Sequence, residues 1–357
     1  MALVSMAGTE KGVTVGVDTH GEVHVAAAFT SDLGRPLGHL DIPTTPLGYR
    51  ELLRWARSLG TSVQFGIEGT GSFGAGLTRF LRNQGCTVIE VNRPNRQTRR
   101  ARGKSDPVDA EAAARAVLSG EAAGIAKDDQ ALVGMISSLR VARRSAVKMR
   151  TQIANQMHAL LITAPAELRE RLRSLSRDQL IDTAASMRPG AITTPMAATK
   201  LAMKGLALRH DLLSTELVAL DLELTRLTME AAPALCGLTG VGPDVAGALL
   251  VAVGDNPGRL RSEGSFANLC GAAPLPASSG KTTNRHRLNR GGDRIANGAL
   301  WRIVMTRLAC HEPTRAYMAR RTAQGLSKRE IVRCLKRYVA REVYRCLTRR
   351  AEPTVAS

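Results

Sequence analysis

The sequence has few aromatic residues, no closely spaced cysteines and no apolar run long enough to cross a membrane. Phe, Trp and Tyr make up 3% of 357 residues, which disfavours a binding surface built on stacked aromatic rings. The six cysteines are scattered, which excludes a CxxC zinc site and a disulfide-rich secreted scaffold. The first ten residues do not form a signal-peptide pattern. We therefore expect a reduced, soluble, cytoplasmic protein with no membrane partner.

Acidic residues are too few to balance the basic ones. The chain has 50 Lys and Arg against 31 Asp and Glu, which gives a formal net charge of +19. Of these cations 41 are Arg, whose planar guanidinium binds phosphate with two hydrogen bonds. The charge therefore predicts a polyanionic partner, and nucleic acid is the simplest one. Hydrophobic residues make up 44% of the chain, which is enough for two or three folded domains.

The N-terminal third alternates β-strand and helix patterns. Strands are predicted over residues 13–18, 23–29, 37–42, 63–68 and 87–91. Helices are predicted over residues 46–59, 76–83 and 107–118. A three-strand meander followed by helix, strand, helix, strand and helix is the order of an α/β ribonuclease-H-like domain, which we assign to residues 11–125.

The rest of the chain is predicted to be mostly helical. Residues 126–232 carry leucines at heptad spacing and form an α-helical hairpin or coiled coil joined through residues 186–205. An intramolecular bundle and a dimerisation arm both remain open. Residues 233–350 form a mostly α C-terminal domain, and residues 351–357 are expected to be a disordered tail. At 238–242 the sequence LTGVG resembles a helix-hairpin-helix turn, in which Gly240 and Gly242 would let backbone N–H groups approach phosphate, although an ordinary tight turn also fits.

Four carboxylates are expected to converge in the N-terminal domain. Asp18 ends the first strand, Glu68 ends the fourth, and Asp106 and Asp109 begin the last helix. In a ribonuclease-H-like sheet these two strands are neighbours and the helix packs over them. Crowded carboxylates are usually relieved by divalent metal, and two Mg²⁺ ions can serve phosphoryl transfer. An alternative for the last pair is a helix opening with Asp106 at the N-cap.

A basic segment comes directly before this helix and is predicted to bind nucleic acid. Its residues are Arg96, Arg99, Arg100, Arg102 and Lys104. A rival hypothesis starts from GTGSFG at 69–74, which matches the GxGxxG dinucleotide fingerprint. The preceding meander and the large positive charge disfavour that hypothesis.

These motifs resemble those of DEDD transposases of the insertion sequence 110 family, the bridge-RNA-guided recombinases of bacterial mobile elements. The resemblance covers almost the whole chain. It is carried by GVDT at 16–19, IEGTG at 67–71, KSDPVDA at 104–110, LTGVG at 238–242, FANLCG at 266–271 and the segment 274–280.

The resemblance implies a RuvC-like domain, a coiled-coil arm and a C-terminal transposase domain with a nucleophilic serine. Its catalytic, metal-binding tetrad would be Asp18, Glu68, Asp106 and Asp109. The family serine precedes a glycine and lies five residues after a proline, which here selects Ser279, with Ser278 as the alternative nucleophile. The serine of one subunit would meet the tetrad of another, forming a transient phosphoserine bond to DNA.

The expected activity is therefore that of a site-specific DNA recombinase which moves an insertion sequence between donor and target DNA. The expected cofactors are Mg²⁺ and a guide (bridge) RNA, in a homodimer that pairs into a tetramer. Further phosphate contacts are expected from Lys281, Arg285, Arg287, Arg290 and Arg294. The alternatives are a RuvC-type metal-dependent, structure-specific endonuclease and a non-enzymatic nucleic-acid-binding scaffold.

Overall fold

The chain divides into two compact units in a computed structural model. The first comprises residues 1–130 with 253–261, and the second comprises residues 131–252 with 262–357. The structure describes residues 12–91, 105–276, the backbone of 286–287, residue 289, and residues 291–348. The three-domain division predicted above remains a prediction, and the expected disordered tail lies outside the described residues.

A six-stranded mixed sheet forms the centre of the first unit. Its strands are β1 (Gly12–Thr19), β2 (Val23–Thr30), β3 (Pro36–Pro43), β4 (Ser62–Glu68), β5 (Thr87–Val91) and β6 (Gly124–Ile125). They lie in the order β3-β2-β1-β4-β5-β6. Strands β1, β4 and β5 are parallel, whereas β2, β3 and β6 pair antiparallel with their neighbours. The predicted ribonuclease-H-like fold and the adjacency of β1 and β4 are confirmed.

Three helices in the described part of the first unit pack on this sheet. They are α1 (Pro46–Leu59), α2 (Ala75–Asn83) and α3 (Asp106–Leu118). Helix α1 begins as its sequence predicts, because the Thr45 hydroxyl accepts a hydrogen bond from the Gly48 amide at 3.3 Å. Helix α3 corrects the capping alternative for Asp106: the N-cap is Ser105, and Asp106 is the first helical residue. The short strand β6 was not predicted.

The second unit is mostly helical, as predicted. Its first half contains α4 (Leu132–Thr163), α5 (Ala166–Leu172), α6 (Arg177–Ala185) and α7 (Pro195–Ala231). Helices α4 and α7 pack antiparallel, since Arg143 pairs with Asp221 and Arg150, one heptad later, reaches Ser214, one heptad earlier. The predicted linker 186–205 was too long. Thr194 caps α7 by accepting a hydrogen bond from the Ala197 amide, so helix resumes at Pro195.

The second half contains shorter helices and a two-stranded ribbon. The helices are α8 (Pro233–Cys236), α9 (Pro243–Val253), α10 (Glu263–Leu269), α11 (Arg294–Cys310), α12 (Glu312–Ala323) and α13 (Lys328–Thr348). Strands β7 (Leu275–Pro276) and β8 (His286–Arg287) pair antiparallel. A capping box opens α13, where Ser327 and Glu330 exchange hydrogen bonds. None of the described helices combines the length and apolar character of a membrane span.

Asp244, near the start of α9, ties three helices of the second unit together. Its Oδ1 lies 3.0 Å from an Arg140 nitrogen of α4, and its Oδ2 accepts a hydrogen bond of 2.7 Å from Arg302 of α11. Burial by itself raises the pKa of Asp244, but Arg140, Arg302 and Arg143 outweigh burial and leave that pKa below its ordinary value. The carboxylate therefore stabilises the folded unit as long as it is ionised.

We expect Asp244→Asn to lower the free energy of unfolding by about 2 kcal/mol at neutral pH. Because the folded pKa lies below the ordinary 3.8, the wild-type advantage is complete well above that value and disappears as the pH falls through the folded pKa. Urea unfolding followed by helical circular dichroism measures this difference. The exposed Asp211→Asn is the control. An advantage that is unchanged at pH 2.5, about 1.4 units below the ordinary Asp pKa, would contradict this assignment.

Candidate active site

Two carboxylates lie at the ends of adjacent parallel strands. Asp18 is only 8% exposed near the end of β1, and the half-buried Glu68 is the last residue of β4. The strands are in register, with Val17 opposite Ile67, so Asp18 and Glu68 reach the same sheet edge. The Thr19 hydroxyl fixes these ends together by donating a hydrogen bond of 2.8 Å to the carbonyl oxygen of Glu68.

Helix α3 lies against the face of the sheet that these acids share. Side chains alternate along a strand, so Gly16 and Asp18 face one side, as do Gly66 and Glu68. A Cβ atom added at Gly16 would lie 2.1 Å from the Ala110 carbonyl oxygen, and one added at Gly66 would lie 2.6 Å from Val117. Gly16 and Gly66 are themselves register partners. These two glycines therefore allow α3 to pack closely against the sheet, and we call the pair the seat of α3.

The first turn of α3 completes an acidic cluster at the end of β1. Asp109 is 4% exposed, whereas Asp106 is half exposed. His20, two residues after Asp18, lies between the carboxylates, with Nε2 3.1 Å from Asp18 Oδ2 and 3.4 Å from Asp106 Oδ1. One ligand atom from each of Asp18, His20 and Asp106 lies within 4.8 Å of the others. Among the described residues, this closest group does not include Glu68 or Asp109.

The pKa of Asp18 reflects both its burial and the negative charge around it. Burial raises the pKa of Asp18 above its ordinary value, and the neighbouring Asp109 and Asp106 raise it further. His20 opposes this rise through its charge and its hydrogen bond. A cation at this place would relieve the repulsion. Carboxylate oxygens and an imidazole nitrogen are suitable ligands for divalent metals, so the residues present fit such an ion.

His20 is the member of this cluster that the sequence analysis missed. It follows β1 in the turn to β2, and its backbone N–H donates a hydrogen bond of 3.3 Å to Nδ1 of the buried His24. The pairing of β1 with β2 thus holds the backbone that carries His20 beside Asp18. The available sequence signal was a histidine two residues after a strand-terminal aspartate, which is weak without the tertiary contact.

The predicted serine site and most of the predicted phosphate contacts lie outside the described residues. These positions are Ser278, Ser279, Arg96, Arg99, Arg100, Arg102, Lys104, Lys281, Arg285 and Arg290. For Arg287 only the backbone is described, in β8. Arg294 is exposed at the first position of α11, where Asp293 caps the helix by accepting hydrogen bonds from two backbone amides. The structure therefore places Asp18 near Asp106 and Asp109, with Glu68 at the same edge of the sheet, and the serine stays a prediction.

The predicted glycine turn directly precedes α9. Gly240 has a φ of +85°, a backbone conformation that favours glycine, and Gly242 is exposed next to Pro243 at the helix start. Both glycines line a shallow open groove of about 490 Å³ together with the exposed Trp301 and Arg302 of α11. This geometry leaves the turn accessible, while phosphate binding by it stays a prediction.

Comparison with known proteins identifies two family models along the chain. A transposase model of DEDD enzymes of the IS110 type matches residues 15–164. The model of the transposase IS116/IS110/IS902 family matches residues 232–319. No curated protein matches the chain. The first match contains the whole acidic cluster, and the second contains the glycine turn and both candidate serines.

We expect Gly16→Ala to disturb the acidic cluster, because its Cβ would meet backbone atoms of Ala110 and Ala114 that cannot move without shifting α3. The free energy of unfolding should fall by about 2–3 kcal/mol, and Mn²⁺ binding measured by calorimetry should weaken at least tenfold. Gly124→Ala is the matched control, since its Cβ would enter open space. Wild-type Mn²⁺ affinity in Gly16→Ala would show that the seat of α3 does not set the site.

Proposed function

Because the chain belongs to the IS110 family of DEDD transposases, we propose that it is a site-specific recombinase that cuts and rejoins the DNA of an insertion sequence. The family membership makes it a transposase with DNA as its substrate. The observation that carries the finer proposal is the cluster of Asp18, His20 and Asp106 at the edge of a ribonuclease-H-like sheet. The net charge of +19 supports the same partner.

A DEDD domain implies a divalent metal, and we propose that this metal is Mg²⁺, with two ions per site. Asp18, Glu68, Asp106 and Asp109 would hold the ions, and His20 would add a nitrogen near Asp18. When bound, Mg²⁺ supplies positive charge that stabilises the oxygens of a phosphodiester under attack. The chain's own contribution is to hold the acids at one sheet edge through the seat of α3.

Ser279 is the proposed nucleophile, on the strength of the family resemblance. Its hydroxyl oxygen forms a bond to the scissile phosphorus and its proton passes to water. The bond from phosphorus to one deoxyribose oxygen breaks, and that oxygen takes up a proton. The phosphoserine bond conserves the energy of the broken phosphodiester, so attack by a deoxyribose hydroxyl on the same phosphorus rejoins the DNA and frees the serine. Ser278 remains the alternative.

Sequence selection is proposed to come from a bridge RNA that pairs with donor and target DNA. In such a division of labour, base pairing reads sequence while the protein supplies shape, charge and chemistry. The basic residues before α3 and around the candidate serines would neutralise phosphates. Sequencing of the RNA that copurifies with the chain tests this part, and purification of an active complex without RNA would contradict it.

An exposed apolar stripe on α7 supports the proposed homodimer. Leu212, Val218 and Leu222 are 69%, 72% and 70% exposed, on the side of the helix opposite the leucines buried against α4. Leu201, Leu208, Leu222 and Met229 recur at multiples of seven residues, which is the spacing of a helix–helix seam. A second copy of the chain is the proposed occupant, and two dimers would pair into the synaptic tetramer. In this assembly the serine of one subunit would serve the tetrad of another.

Covalent trapping separates the recombinase from its alternatives. We expect the wild-type chain to yield a protein–DNA adduct on denaturing gels, and Ser279→Ala to abolish it and to lower recombination by about 10³-fold or more. Ser278→Ala should retain both at a reduced level. Asp18→Asn should also abolish cleavage while DNA binding persists, with the exposed Asp32→Asn as its control.

The other outcomes identify other functions. Metal-dependent nicking by Ser279→Ala without any adduct would identify a RuvC-type endonuclease. Binding without cleavage by the wild-type chain would identify a nucleic-acid scaffold. An adduct that is lost only in Ser278→Ala would move the nucleophile by one residue.

For the dimer, we expect the double variant Leu212→Glu/Leu222→Glu to reduce the molar mass measured by light scattering from that of a dimer to that of a monomer. Two charges in an apolar seam would remain desolvated and unpaired, whereas in the monomer both positions are exposed to water. Glu167→Lys changes an exposed charge on α5, which does not carry this stripe, and should remain dimeric. A dimeric double variant would contradict the proposed seam.

A further inference from the structure

Helix α13 carries a row of arginines that neither the fold nor the candidate active site uses fully. Arg333, Arg337, Arg341 and Arg345 follow one another at steps of four residues, and we name them the arginine ridge. Side chains four residues apart are neighbours on a helix surface. The opposite side of α13 is buried through Ile331, Leu335, Val339 and Val343. The ridge therefore faces away from the core of its unit.

The ridge concentrates more charge than its surroundings neutralise. Like charges at steps of four destabilise a helix, so three successive pairs need compensation. Glu263 of α10 accepts a hydrogen bond of 3.0 Å from Arg341 and also pairs with Arg337. Glu330 lies 4.0 Å from Arg333. Arg345 pairs with no carboxylate in the described part of the chain. The four arginines of the ridge are therefore paired with two carboxylates, Glu263 and Glu330.

The remaining acid of α13 is committed elsewhere. Glu342 faces Arg307 of α11 at 2.8 Å, and Arg307 also donates to the carbonyl oxygen of Thr239. This contact holds the helices of the unit together and leaves the charge of the ridge in place. Within the described residues, Glu263 and Glu330 are the carboxylates that pair with the ridge, so an anion from outside the unit would relieve its excess charge.

Aromatic rings orient part of the same surface. Tyr317 of α12 and Tyr338 of α13 meet edge to face, with ring centres 5.5 Å apart. The guanidinium of Arg320 lies over the Tyr317 ring at 5.4 Å, and that of Arg341 lies over the Tyr338 ring at 5.7 Å. Guanidinium groups held on rings still present N–H donors at their edges. The ring faces are occupied by arginine, which favours contact with phosphates over stacking of bases.

The spacing of the ridge suits a regular polyanion. Each step of four residues rises about 6 Å along the helix, and one strand of a DNA duplex places a phosphate every 3.4 Å or so along its axis. Each arginine of the ridge can thus contact a phosphate about two nucleotides along the strand from the phosphate that the previous arginine contacts. Residues 328–348 also lie beyond both segments matched by the family models.

We propose that the arginine ridge of α13 binds the phosphate backbone of double-stranded DNA, in addition to the basic residues named from the sequence. The inference rests on the proposed function only in taking DNA as the polyanion. The ridge positions the duplex through charge, and it reads no bases.

Binding of labelled duplex DNA by the full-length chain tests this proposal. We expect Arg333→Gln/Arg345→Gln to weaken binding of a 30-base-pair duplex of arbitrary sequence (roughly three helical turns) by about tenfold or more. The slope of log affinity against log salt should become shallower by about 1.8, which is about 0.9 for each of two phosphates. Fluorescence anisotropy at several salt concentrations gives both quantities.

Two variants keep the result interpretable. Arg169→Gln/Arg173→Gln removes the same charge from exposed residues at α5 and should leave the slope nearly unchanged. Arg333→Lys/Arg345→Lys keeps the charge and should restore affinity to within about threefold, which a purely structural role of the guanidinium groups would not permit. Thermal melting checks that each variant is folded.

Two results would overturn the proposal. One is a glutamine variant with the affinity and slope of the Arg169→Gln/Arg173→Gln control. The other is loss of binding confined to an RNA duplex of the same length. The assay involves no cleavage, so the ridge can fail while the covalent adduct still forms, and the adduct can fail while the ridge still binds DNA.

Discussion

The contact between α3 and the two glycines of β1 and β4 is the constraint on which the acidic cluster depends. Gly16 and Gly66 lie opposite one another, and neither position has room for a Cβ atom. The helix can therefore approach the sheet closely enough for Asp106 and Asp109 to act on Asp18 at the end of β1. Gly16 and Gly66 therefore allow α3 to pack closely on the sheet, and the same packing brings its acids to Asp18.

Buried acids are handled in opposite ways in the two units. Around Asp18, burial and neighbouring carboxylates raise its pKa, and only His20 opposes them. Around Asp244, arginines from two other helices overcome burial and lower its pKa. The charge of Asp244 is neutralised by arginines of the protein itself, and this pairing stabilises the fold of the second unit. The arrangement around Asp18 leaves negative charge unbalanced, which is the electrostatic condition for holding a cation.

The helical unit folds by burying one side of each long helix, and this leaves two unusual surfaces. Helix α7 buries leucines against α4 but exposes a second apolar stripe around Leu212 and Leu222. Helix α13 buries aliphatic residues but exposes the arginine ridge. The apolar stripe is not buried in the fold of one chain, and the arginine ridge is only partly paired there, through Glu263 and Glu330. Apolar area and concentrated charge instead match two kinds of partner, another copy of the chain and a polyanion.

The sequence by itself determined the first five strands, the helices between them and the mostly helical remainder, because apolar periodicity is a local property. It also placed Asp18 and Glu68 at strand ends and Asp106 and Asp109 at a helix start, while their role as metal ligands stays a prediction. It misplaced the start of α7, since Pro195 was taken as part of a linker when it opens a helix. The heptad pattern could not show that a second stripe on α7 stays exposed. Likewise His20 became a member of the cluster only through the pairing of β1 with β2 and the docking of α3. Such contacts join residues far apart in the chain, so only the tertiary structure decides them.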